Sequence, residues 1–178
     1  MVLHGLGDLY REKIKNPYVR IVFSSIIIII LTVILHTDDY MGAGVPVIVR
    51  AIGGKVNPMA FIWKMIFTAL TLEAGFKGGE IVPSFFIGAT FGCLFGNLSG
   101  FSPTLCTAVG MAAVFCGVTN CPITALLISF ELFGYDGMPY FLLAVAFSYM
   151  LSGYYGLYSS QKIIYSKYKT NYINRKTH

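Results

Sequence analysis

Charge is scarce in this chain. Only 12% of its 178 residues are Asp, Glu, Lys or Arg, while 56% are hydrophobic. With a mean hydropathy of +0.68, that balance excludes an ordinary soluble domain and points to a polytopic membrane protein. A secretory signal is also missing, because the first 20 residues are polar and charged and contain no apolar run or small-residue cleavage site. Cysteine is limited to Cys93, Cys106, Cys116 and Cys121, all in or beside apolar runs and without metal-ligand spacing. They are expected as small buried residues, neither disulfides nor ligands. Histidine occurs only at His4, His36 and His178, outside the apolar cores, and there is no H-E-x-x-H or G-x-S-x-G. An intramembrane enzyme therefore has no catalytic set here, and no cofactor or metal is expected. Long strand-like alternation is absent, which excludes a β-barrel.

What is present centres on Gly78-Gly79-Glu80-Ile81-Val82-Pro83, followed by an apolar run over residues 84–98. Two glycines lead into a helix start with Pro83 in its first turn, where a missing N–H has no consequence. Backbone N–H groups there can converge on one spot, and the helix dipole adds about half a positive charge. Such a spot can hold an anion without a cationic side chain. Ser84, Gly88, Gly92 and Gly96 recur at four-residue spacing and form a ridge of small residues suited to close helix packing in lipid. The same residues also suit a glycine turn followed by an ordinary packed helix.

Apolar runs cover residues 21–35, 58–72 (interrupted by Lys64), 84–98, 103–118, 122–133 and 138–151, and several start at proline and stop at glycine. The first would span only about 22 Å as a helix, short of a hydrocarbon core of about 30 Å. No segment is clearly long enough to cross upright. Short, Gly/Pro-interrupted segments are the sequence sign of transporters whose broken helices meet near the midplane. The net charge of +5 is concentrated at the ends, in Arg11, Lys13, Lys15 and Arg20 and in Lys162, Lys167, Lys169, Arg175 and Lys176. This bias predicts a multi-pass protein of the cell membrane with both termini cytoplasmic. The basic residues form no folded face for nucleic acid. The chain divides into a polar connector (1–20), a transmembrane part (21–161) and a basic tail (162–178). Lys64, Glu73 and Glu131 are ionisable residues in apolar surroundings. Lys64 is expected to snorkel or pair with a carboxylate, and Glu131 to anchor a helix end near Gly134.

Taken together, these residues resemble the CLC chloride channels and transporters. Gly79-Glu80-Ile81-Val82-Pro83 is similar to the G-x-F-x-P anion motif of that family's second half. The run from Gly110 through Gly117-Val118-Thr119-Asn120-Cys121-Pro122 to Ala125, continued by Ser129-Phe130-Glu131-Leu132-Phe133, resembles the stretch before the late helices. Gly156-Leu157-Tyr158-Ser159 resembles the segment of the pore tyrosine. The pieces keep the family's order over nearly the whole chain from about residue 15. The resemblance implies an all-α membrane fold, the second inverted repeat of a CLC-type protein with short, broken and tilted helices. It implies that the N–H groups of Glu80 and Ile81 face a dehydrated chloride or other small anion and that the Tyr158 hydroxyl adds a donor. It also implies a homodimer at full length. Tyr158 equally suits an interfacial belt with Tyr154, Tyr155, Tyr165 and Tyr168. Gly42-Ala43-Gly44-Val45-Pro46 resembles the second-half counterpart of the G-S-G-I-P motif, with Ala43 in the serine's place.

Departures from the pattern set further expectations. The G-K/R-E-G-P gating motif and the first-half serine are missing, so the chain reads as a C-terminal fragment that supplies half of an anion site and needs its N-terminal half. The regulatory domains that follow the membrane part of many eukaryotic relatives are not expected, which favours a bacterial-type member. Glu80 stands where an apolar residue is more familiar. Fluoride/proton antiporters of the family carry a glutamate in a similar setting with a phenylalanine comparable to Phe86, although they tend to have threonine where this chain has Val82. Glu80 also suits a plain helix N-terminus. Chloride transport, fluoride/proton exchange and a non-transporting remnant remain open at this point.

Overall fold

The computed structural model describes residues 16–158 and 160–177, and the expected connector falls largely outside them. The described elements run α1 Pro17–Leu35, α2 Val45–Ile52, α3 Ala60–Ala74, α4 Ile81–Ser99, α5 Pro103–Thr119, α6 Pro122–Phe133, α7 Met138–Leu151, β1 Lys162–Tyr165 and β2 Tyr172–Lys176. Proline marks most of the starts. Pro17, Pro46, Pro103, Pro122 and Pro139 take the first or second helical position, where the fixed φ fits and the lost N–H is not missed. Left-handed residues mark the stops, with φ of 50° at His36, 101° at Gly75, 76° at Gly100 and 56° at Asn120.

The first helix is longer than its apolar run. Asn16 caps it by accepting from the Tyr18 N–H at 3.0 Å, and Pro17 follows, so the helix starts four residues before residue 21. Arg20 is carried inside it and donates to the Ala74 carbonyl at 3.1 Å, satisfying an orphan group at the end of α3. Helices α1 and α4 each have 19 residues, about 28 Å. Both are long and apolar enough to cross a bilayer by length and composition, which corrects the expectation that no segment is clearly long enough to cross upright. Val22, Ile29 and Ile34 of α1 are 59%, 62% and 64% exposed. An apolar helix this open on the chain itself is suited to lipid.

The architecture hinges on the antiparallel pair α4 and α5. Gly88 of α4 lies against the Gly110 carbonyl of α5, Gly92 against the Cys106 carbonyl, and Gly96 against Pro103. A Cβ at any of the three would strike backbone, so the ridge lets the two helices touch through their main chains. Ser84, one turn earlier, is buried and donates to the Ile81 carbonyl at 2.6 Å. On one side of this pair a core of Ala108, Ala112, Phe115, Cys116, Ala125, Phe141 and Val145 joins α5, α6 and α7. Phe85 stacks on Phe115 there, with centroids 4.9 Å apart. On the other side Tyr40, Val47, Ala60, Phe67 and Phe86 form a second core.

The tail is more than a run of basic residues. β1 and β2 pair antiparallel, Lys162 opposite Lys176 and Ile163 opposite Arg175. Lys167, between them, turns inward and donates to Tyr149 O at 2.9 Å, Ser152 Oγ at 2.8 Å and Asn120 Oδ1. Its ammonium lies 4.2 Å from the Tyr149 ring centre. Burial pulls the Lys167 pKa below the ordinary lysine value, and the neighbouring Cys116 thiol pushes it back up.

Candidate functional site

A cavity of about 550 Å³ opens where α1, α3 and two glycine-rich helix starts meet. Gly42 and Ala43 precede α2, and Gly78 and Gly79 precede α4. Both pairs line the cavity, as do Val82 and Pro83 of α4's first turn. The two glycine-proline motifs of the sequence, some 35 residues apart, therefore share one wall. Each has a local cause. Gly44 caps α2 with φ of 71°, and a side chain there would collide with the Phe86 ring. Gly79 is different: a Cβ there would meet nothing within 4 Å beyond its chain neighbours. Nothing in the fold requires glycine at 79, and a larger residue would take up space at the cavity wall.

Helix α4 starts at Ile81 with Glu80 as its N-cap. The first N–H groups of any α-helix lack carbonyl partners, and among the described residues none accepts from Glu80, Ile81 or Val82. The Glu80 carbonyl takes the Ser84 N–H at 3.1 Å, but the Glu80 side chain makes no cap bond. The carboxylate is thus not held as an ordinary N-cap. Glu80 itself is partly buried and does not line the cavity. Ile81 packs toward the α5–α7 core. Phe86 is fully buried in the second turn of α4 and meets Tyr40 edge-on at 6.4 Å, behind the cavity wall.

Tyr158 is not brought to the cavity. It is 47% exposed in the segment after α7, and its carbonyl accepts from Gln161 N–H at 2.9 Å and Thr177 Oγ1 at 2.5 Å. Its neighbour Leu157 donates to the Val118 carbonyl at 2.7 Å. The tyrosine is therefore tethered to the C-terminal end of α5. That end lies beside the start of α4, as the Phe85–Phe115 stack shows, on the side away from the cavity.

Lys64 departs most from expectation. It is 1% exposed, so it does not snorkel, and among the described residues it meets no carboxylate. Its ammonium donates to the carbonyls of Tyr40 at 3.1 Å and Gly42 at 2.5 Å and stands 5.0 Å from the Phe86 ring centre. The single ion pair among the described residues is Arg50 with Asp39, both partly exposed and of small energetic value. Glu131 is exposed on α6, whose end is Gly134 with φ of 75°. The four cysteines are free thiols, and no cluster of metal-ligating residues exists among the described residues.

Residues 1–153 match the family profile described as "Voltage gated chloride channel". A chloride/fluoride channel protein of Pseudomonas syringae pv. tomato is 37% identical over 134 residues, covering 75% of this chain and 30% of the relative. Chloride channel protein CLC-e of Arabidopsis thaliana is 35% identical over 85 residues, which is 39% of this chain and 12% of that protein. Among solved structures, a CLC-type fluoride/proton antiporter superposes with a TM-score of 0.83 at 29% identity, covering 88% of this chain and 40% of the other. The chain thus spans less than half the length of these relatives. With the family profile matched across α1 to α7 and the helical arrangement shared with a solved antiporter, this chain belongs to the CLC family of voltage gated chloride channels and transporters.

Proposed function

We propose that this chain supplies one half of an anion pathway of CLC type, taking chloride or another small halide in a multi-pass protein of the cell membrane. The observation that supports it is the start of α4. Its first-turn N–H groups have no carbonyl partners among the described residues, and its Gly79, Val82 and Pro83 border the cavity. Neutral N–H donors at a helix's positive end bind a dehydrated anion without holding it too tightly to leave. In this reading Gly79, Glu80, Ile81, Val82 and Pro83 form the anion-binding segment. The Tyr158 hydroxyl, from the segment tethered to the end of α5, is assigned as a further donor, and the remaining donors come from an N-terminal half like that of the longer relatives. The exposed apolar residues Ile123, Leu127, Leu143 and Phe147 of α6 and α7 suit the surface of a homodimer. Both termini are assigned to the cytoplasm by the flanking lysines and arginines.

A second reading, fluoride moved against protons, is favoured by Glu80. A carboxylate that is partly buried and does not cap its helix is available to carry a proton, and Phe86 lies six residues on, in the second turn of α4. The relatives named for fluoride point the same way. Purified full-length protein in liposomes, followed with chloride and fluoride electrodes, separates the readings. Chloride efflux supports the first and fluoride efflux coupled to proton uptake the second, while a folded protein that moves neither is a non-transporting remnant.

A further inference from the structure

The cavity has a second polar wall that the helix starts do not explain. Lys64 and Thr68 lie one turn apart on α3, so they share a face, and both line the cavity. Each is more than nine-tenths buried, at 1% and 8% exposure. An ammonium has three N–H donors, and Lys64 uses two, on Tyr40 O and Gly42 O. Among the described residues neither the third Lys64 donor nor the Thr68 hydroxyl has a hydrogen-bond partner. The fold thus leaves one N–H of a cation and one hydroxyl open to the cavity, where a polar occupant would complete their hydrogen bonding. Among the described residues no carboxylate answers the Lys64 charge.

We propose that Lys64 and Thr68 are direct ligands of the anion, forming with the Gly78–Gly79 wall a two-sided halide site, and that Lys64 also positions the Gly42–Ala43 wall. This rests on the anion reading above and adds two residues to it. The two carbonyls explain how a lysine can serve at a site that must release its ion. They spread part of its charge, so the anion meets a softened cation in place of a bare ammonium. They also turn the Tyr40 and Gly42 carbonyl oxygens, which would repel an anion, toward the ammonium. Lys64 thus acts on the site twice, once through its free N–H and once by holding the turn before α2.

The test is halide binding to the full-length protein in detergent, by titration calorimetry with sodium chloride and sodium fluoride, alongside liposome flux and melting temperature. Lys64→Met is expected to weaken halide binding roughly tenfold or more and Thr68→Val roughly threefold, with Lys64→Arg restoring most of the loss. If Lys64→Met does not fold, Lys64→Gln keeps amide donors without the charge and is expected to show the same weakening. Thr68→Val removes a hydroxyl that bonds no described residue and decides the matter if neither lysine variant folds. Folded variants that bind halide as the wild type does overturn the proposal. A wild type that binds halide through these residues yet shows no flux upholds it and refutes the transport reading. A wild type that binds no halide refutes both.

Discussion

Replacing Gly88 by valine should separate α4 from α5 and weaken the whole assembly. A Cβ at Gly88 would lie 2.5 Å from Gly110 O, 2.9 Å from Gly110 C and 2.9 Å from Met111 Cα. All three are backbone atoms of α5 and cannot swing aside. Restoring a normal carbon–oxygen contact requires the helices to part by about 1 Å, which also pulls on the Phe85–Phe115 stack. Overpacking of this kind costs about 1–3 kcal/mol, against a helix-propensity gain of a few tenths, about 0.3 kcal/mol, for valine over glycine. Destabilisation therefore wins. At about 2–4 °C per kcal/mol for a chain of 150–250 residues, melting in detergent should fall by several degrees. Gly110 supplies an internal check, because a Cβ there runs into the Gly88 carbonyl. Gly88→Val and Gly110→Val force the same separation, so the double variant should lose less than the sum of the singles by at least about 0.5 kcal/mol. A Gly88→Val protein that melts with the wild type, or strict additivity in the double variant, would refute the close-packing account.

Three further outcomes follow from the same geometry. Glu80→Gln should leave the melting temperature nearly unchanged, since the side chain makes no cap bond. Under the fluoride reading it should abolish proton uptake while fluoride still moves, and coupling that survives would remove Glu80 as the proton carrier. Lys167→Met removes the ammonium shared by Tyr149 O, Ser152 Oγ and Asn120 Oδ1 and leaves the Ser152 hydroxyl as the remaining donor to Tyr149 O and Asn120 Oδ1, at a cost of about 1–3 kcal/mol. Limited proteolysis should then cut faster in residues 152–161, and an unchanged digestion pattern would mean the clamp is not what holds the ribbon. The 178-residue chain reconstituted alone should show no halide efflux, as half of its donors are assigned to the N-terminal half; efflux from it would contradict that assignment.

Much of the helical order was legible because proline and glycine write it locally. The starts at Pro103 and Pro122 and the stop at Gly134 need no tertiary information, and the Ser84 to Gly96 ridge announces its own packing. The length of α1 was not legible from hydropathy. Its first turn is polar and is fixed by the Asn16 cap and by Arg20 reaching a carbonyl 54 residues away. Lys64 was misread for a similar reason. A buried ammonium suggests a carboxylate partner, whereas its acceptors are main-chain carbonyls at positions 40 and 42, which carry no side-chain signature. That Gly42–Ala43 and Gly78–Gly79 share a cavity was equally hidden, because it depends on how α1 and α3 close around them. The clamp on the tail depends on Lys167, one of many lysines in that stretch, and only the fold singles it out.

The most direct test of the anion site at α4 is halide flux through full-length protein carrying Gly79→Val. A Cβ at residue 79 meets nothing within 4 Å beyond its chain neighbours, and the residue borders the cavity, so the variant should fold and melt as the wild type does. It should nonetheless lose most of its halide efflux, because the added methyl groups would take up space at the cavity wall beside the α4 N-terminus. A folded Gly79→Val protein with wild-type efflux would contradict the site.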